Sequence, residues 1–69
     1  MSDIEITING DPRRVPEGLD LPALLALLGL APETVVVEHN RTIVRRTALA
    51  GVPVSSGDSI EIVHFVGGG

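Results

Sequence analysis

Ile4, Ile6 and Ile8 alternate with Glu5 and Thr7 and run directly into Asn9-Gly10. Alternation with a period of two marks a strand with one buried face. Asn-Gly is the strongest short-range signal for a hairpin turn, because both residues tolerate positive φ. The chain must therefore double back at once, and Arg13 to Pro16 reads as the returning strand, with Val15 as its apolar contact. A lone two-stranded hairpin is marginal in water, so the rest of the chain has to cover the isoleucine face.

A candidate cover follows immediately. Glu17-Gly18 breaks the alternation, and the pattern predicts a helix from near Asp20 to a stop at Gly29. Asp20 can cap the orphan amides of the first turn, and Pro22 removes a donor that would be unpaired there anyway. Leu19 and Leu24 have the spacing of a hydrophobic staple. Leu21, Leu24, Leu25 and Leu28 share one face at i, i+3, i+4 and i+7, and Pro32 bars continuation past Gly29.

Beyond the helix, Val35 to His39 reads as a strand, Asn40-Arg41 as a turn, and Thr42 to Arg45 as a short strand pairing back. Thr47 to Val54 is expected to be irregular, with Leu49 and Val54 anchored in the core beneath it. Ser55-Ser56-Gly57-Asp58 is a turn cluster, with Gly57 supplying positive φ and Asp58 bonding its own backbone. Ser59 to Val66 is the last strand, with Ile60 and Ile62 alternating against Glu61 and Val63. A helix between strands needs a sheet to cover, and the last strand must find a place in that sheet. The economical solution is an α+β fold, a mixed sheet with the last strand beside the first and one main helix packed across one face. That is the β-grasp arrangement. Residues 1–66 are expected to form one β-grasp domain and residues 67–69 a flexible C-terminal glycine tail.

Size and composition narrow the function. A chain of 69 residues is one small domain, and domains of this size bury only about 60% of their unfolded surface. There is no cysteine, so neither disulfides nor thiolate metal sites can serve as staples. With Phe65 the single aromatic residue, the core must be built from Ile, Leu and Val, which leaves no room for a deep internal active site. The net charge is −4, there is no lysine, and all five cations are arginines. This balance argues against a nucleic-acid partner, and Arg13-Arg14 and Arg45-Arg46 read as solvated strand residues. The longest apolar run, Leu21 to Leu30, is too short to cross a membrane. Met1-Ser2-Asp3 does not resemble the start of a secretory signal, so a soluble cytoplasmic location is expected.

Few side chains suggest chemistry. His39 and His64 are the only histidines, lie in different predicted strands, and lack the spacing of a metal site; sheet-edge or surface roles are expected, with no metal bound. Ser55, Ser56 and Ser59 sit in or beside a turn and have no cleft in which to act with His64, so no hydrolase activity is expected. The sequence closes instead on Gly67-Gly68-Gly69. Glycine loses more freedom on ordering than any other residue, so this run cannot stabilise a terminus. It can supply a thin lead of about 10 Å, narrow enough for a channel that no side chain could enter, carrying the carboxylate of Gly69.

Asn9-Gly10 in an N-terminal hairpin, the Leu24-Leu25 to Leu28 helix, Asn40, Ile43-Val44, Arg46, Leu49, Gly57-Asp58 and the final Gly68-Gly69 together resemble the thiamine-biosynthesis sulfur carrier proteins (ThiS). The resemblance covers essentially the whole chain. It departs where Val44-Arg45-Arg46 lacks a proline common in the family and where Leu49 replaces a frequent tryptophan. The resemblance implies a ubiquitin-like β-grasp and a protein co-substrate with no catalytic site of its own. An E1-like adenylyltransferase (ThiF-type), using ATP and Mg, would adenylate Gly69. Sulfur from a cysteine desulfurase and persulfide relay would then displace AMP and leave a thiocarboxylate. Thiazole synthase (ThiG-type) would take that sulfur into the thiazole ring of thiamine.

On the same resemblance, Gly68 and Gly67 thread the partner's channel, and Val66 and Phe65 form the collar where the folded domain meets the tail. Phe65 taken alone reads equally well as a core residue. Three alternatives stay open at this point: a carrier for molybdopterin or another thiolated product (MoaD-like), a ubiquitin-like protein modifier, and a passive adaptor.

Overall fold

The computed structural model describes residues 2–65. Strands β1 (Asp3–Ile8) and β2 (Asp11–Pro16) pair antiparallel from Asp3 opposite Pro16 to Ile8 opposite Asp11. Asn9 at φ 52° and Gly10 at φ 85° make the turn between them, both left-handed as this tightest of hairpin turns requires. β2 begins at Asp11, two residues before its expected start, since a two-residue turn leaves no slack. Pro12 is tolerated within it because β2 lies at a sheet edge.

Helix α1 (Leu21–Leu27) starts and stops where the sequence says it should. Asp20 Oδ1 accepts from the Ala23 N–H at 2.9 Å. At the other end Gly29 turns left-handed at φ 75°, its N–H bonding Ala26 O at 3.0 Å while Leu30 N–H bonds Leu25 O at 2.9 Å. These two crossed bonds are the Schellman stop, which satisfies carbonyls that the helix leaves free. Leu21, Leu24 and Leu25 are fully buried, whereas Leu28, at the C-cap, is only half-buried.

Strands β3 (Val35–His39) and β4 (Thr42–Val44) form a second hairpin, and β5 (Ser59–His64) is the last. The sheet order is β2-β1-β5-β3-β4, so β5 lies in the centre, parallel to β1 and antiparallel to β3. This is the expected ubiquitin-like β-grasp. Ile6, Ile8, Val35, Val37, Ile60 and Ile62 face the helix leucines across one core, which Val15, Leu49 and Val54 complete. Among the described residues, no α-helix covers the opposite face of the sheet.

Three local expectations are corrected. The segment after β4 is not wholly irregular, because Arg46–Gly51 winds into 3-10 turns that bury Leu49. Tight turns of this kind leave no apolar stripe for periodicity to detect. Arg45 is extended at φ −66°, ψ 149° and caps this segment, so β4 stops at Val44. A short 3-10 turn, Pro32–Thr34, also precedes β3. The last strand ends at His64, short of its expected run to Val66, since Phe65 already lies outside it; Val66 and the expected boundary between residues 66 and 67 lie outside the described residues.

Candidate functional site

The strand that leads toward the glycines is held from both flanks. On the β1 side, Thr7 N–H donates to Asp58 O at 3.0 Å and Asn9 N–H to Ile60 O at 2.9 Å. The register pairs only Thr7 with Ser59 and Ile8 with Ile60. Beyond that point the Asn9 side chain takes over, Oδ1 accepting from Ile62 N–H at 2.7 Å and Nδ2 donating to Ile62 O at 3.2 Å. On the β3 side, Asn40 does the same service at the start of the strand. Its N–H donates to Ser59 O at 2.8 Å and its Oδ1 accepts from Ser59 N–H at 2.9 Å.

Asp58 lies at the entrance to β5 and is nearly buried. Its Oδ2 accepts from Ser55 N–H at 2.8 Å and lies 2.7 Å from His39 Nε2, while Oδ1 accepts from Asn40 Nδ2 at 3.1 Å. Burial pushes the carboxyl up, but the bonds from Ser55, His39 and Asn40, with the His39 charge, outweigh it and hold the group below its ordinary value. Asp58 therefore does more than close its own turn: it ties the turn to β3 and to the β3–β4 turn. His39 is not at a sheet edge, since β3 runs between β5 and β4. Sequence gave no sign of this cluster, because its members are up to 19 positions apart.

At the other end of β5, Phe65 is 62% exposed, which settles its role as a surface residue. Its N–H donates to Thr34 O at 2.9 Å, extending the pairing with the β3 side by one more residue. Val63, two residues earlier on the uncovered face, is 62% exposed, and Ile43 on β4 is 64% exposed. Val36 pairs with Val63 across the strands. A shallow groove of about 310 Å³ opens beside Phe65, lined also by Pro32, Val36, Val44 and Arg46. Apolar surface of this extent, gathered beside the end of one strand, suits contact with another protein. Val63 was legible as outward-facing from its alternation with Ile62; Ile43 and Val36 were not, because apolar runs hide which face they take.

Of the expected site residues, only Phe65 falls within the described part of the chain; Val66, Gly67, Gly68 and Gly69 lie outside it. His39 pairs with Ile60 and His64 with Val35, at opposite ends of the β3–β5 ladder. Among the described residues there is no group of three or more His, Cys, Asp or Glu that could hold a metal. No helix among them is long and apolar enough to cross a membrane.

Comparison with known proteins decides the family. The model of the ThiS family matches residues 6–69, a span that takes in the glycine run. The chain belongs to the ThiS family. The crystal structure of the thiamine biosynthesis protein (ThiS) from Geobacter metallireducens is similar with a TM-score of 0.83 at 38% identity, covering 96% of this ThiS-family chain and 100% of that one. The sulfur carrier protein ThiS of Bacillus subtilis is 46% identical over 46 residues, 67% of this chain and 70% of that protein. A thiazole synthase of Magnetococcus marinus is 44% identical over 66 residues, 96% of this chain. The chain spans only 20% of the length of that relative.

Proposed function

We propose that this chain is a sulfur carrier protein of thiamine (thiazole) biosynthesis, with Gly69 as the residue that carries the sulfur. The observation behind this reading is the ThiS-family match through residue 69, and an exposed apolar collar around Phe65 supports it.

The chemistry follows from the weakness of a carboxylate as an electrophile. Its charge repels nucleophiles, and oxide is a poor leaving group. Attack of the Gly69 carboxylate on the α-phosphorus of ATP, within an E1-like partner that also holds Mg, releases pyrophosphate and gives an acyl-adenylate. A sulfur nucleophile from a persulfide relay, fed by a cysteine desulfurase, then attacks the acyl carbon and expels AMP. A second thiol then attacks the relay's own sulfur, forming a disulfide with it and supplying the two electrons, so that Gly69 keeps the transferred sulfur as a thiocarboxylate, which thiazole synthase consumes.

In this reading the chain holds no cofactor and has no catalytic site of its own. Phe65 and Val66 meet the partner's surface, Gly67 and Gly68 thread its channel, and the work takes place in the cytoplasm.

Intact mass after incubation with ATP, a ThiF-type adenylating enzyme and a persulfide source tests the reading. We expect a gain equal to one oxygen-for-sulfur exchange, abolished by deletion of Gly69. An unchanged mass, with the enzyme shown to be active on another carrier, overturns it.

A further inference from the structure

On the uncovered face of the sheet, Glu38 of β3 stands directly opposite Glu61 of β5. Ile43 of β4 is the partner of Glu38 on its other side. Directly opposed like charges destabilise a sheet, so this pair works against the fold that contains it. Nothing within the described chain relieves it: the one ion pair there within 4.0 Å joins His39 and Asp58, and no arginine reaches either glutamate. The two carboxylates also lie in the middle of the apolar strip, between Ile43 on one side and the Val36–Val63 pair on the next rung.

A partner that covered Ile43, Val63 and Phe65 with apolar surface alone would strip water from two carboxylates and leave them unpaired, at high cost. An occupant of this face must therefore bring positive charge to that point. A second copy of the chain fails this requirement, because a twofold contact centred on the strip would bring four carboxylates together.

We propose that Glu38 and Glu61 form a seat for one arginine or lysine of the protein that activates Gly69, and that this cation, set within an apolar docking surface, selects that partner. The inference rests on the sulfur-carrier reading and names the chemistry by which its first partner is recognised. It gives the acidic pair opposite effects in the two states. Free, the pair costs stability; docked, it contributes affinity, and the chain's net charge of −4 adds long-range steering toward a basic surface.

Glu38→Gln and Glu61→Gln in the full chain test both halves. Each variant is expected to melt about 2–4 °C higher than wild type as the repulsion is removed. In turnover with a ThiF-type enzyme, ATP and a persulfide source, followed by pyrophosphate release, each should raise KM about tenfold with kcat unchanged. The wild-type KM should rise with added salt, and the variants should lose much of that dependence. Glu5→Gln, on the same face but out on β1, should leave KM where it is.

Unchanged KM in both glutamine variants overturns the inference while the carrier reading stands, since the wild type is still adenylated. A lower melting temperature in both also overturns it, because the pair would then be compensated within the free chain. Dimerisation abolished by Ile43→Ser, with KM unaffected, assigns the face to a second copy and overturns it as well. A wild type that is never adenylated removes the carrier reading, and the inference with it.

Discussion

The side-chain amide of Asn9 bonds both backbone groups of Ile62, 53 positions further along the chain. It acts as one more residue of β1 at the point where β1 has already turned away. Two demands thus converge on this position: a backbone at positive φ for the turn, and a side chain that can accept and donate at once. Asn9→Gly meets the first and fails the second. We expect it to cost about 1–2 kcal/mol in urea unfolding, the price of two lost hydrogen bonds at a half-buried site. Asn9→Ala should cost about 1 kcal/mol more, because alanine resists the left-handed backbone. A neutral Asn9→Gly would show that the clamp adds no stability.

Asp58 sets the acid limb of stability. Its folded-state carboxyl lies below the ordinary value of 3.8, so as pH falls the unfolded chain takes up the proton first. The stabilisation is complete above that ordinary value and is lost as pH falls through the lower, folded-state value. Asp58→Asn should be less stable than wild type at neutral pH, and the gap should narrow as pH falls below about 3.8. Denaturant titrations at a series of pH values, giving a gap that stays constant into strong acid, would contradict this.

Arg41 follows Asn40 in the second hairpin turn and stands at φ 73°. The equivalent position of the first turn holds Gly10. A side chain at this backbone carries strain that glycine does not. Arg41→Gly should therefore raise stability by about 0.5–1 kcal/mol, read as a higher urea midpoint with an unchanged slope.

Phe65 divides stability from function. It is largely exposed, so Phe65→Ser should alter unfolding free energy by less than about 0.5 kcal/mol. Its KM with a ThiF-type adenylating enzyme should rise severalfold if the collar meets that partner. Leu24→Ala is the contrasting case: it empties a fully buried site and should cost about 2–5 kcal/mol.

What could be read in the sequence followed from how local each signal is. The first hairpin and the capped helix follow from contacts within a few residues, and both formed, the hairpin's second strand only starting two residues early. The central place of β5 was legible only because a last strand rich in isoleucine must find a buried slot. The Asn9–Ile62 clamp and the Asp58–His39 cluster left no local trace. An asparagine in a tight turn is already explained by its backbone, which conceals any second task for its side chain. The Glu38–Glu61 pair was hidden for a related reason: strand register decides which charges oppose each other, and register needs the whole sheet. The glycines were the easiest feature to notice, and they lie outside the described residues.

The placement of β5 between β1 and β3 has a mechanical side. A partner that draws on the chain beyond Phe65 pulls along the axis of a strand bonded on both flanks. To slide out, β5 would have to break its bonds to both neighbours together, in shear, instead of peeling from one edge bond by bond. The load reaches the turn asparagines and the Asp58 cluster before it can disturb the helix. On the sulfur-carrier reading, the end that a partner grips is thus the continuation of an interior strand, held on both flanks.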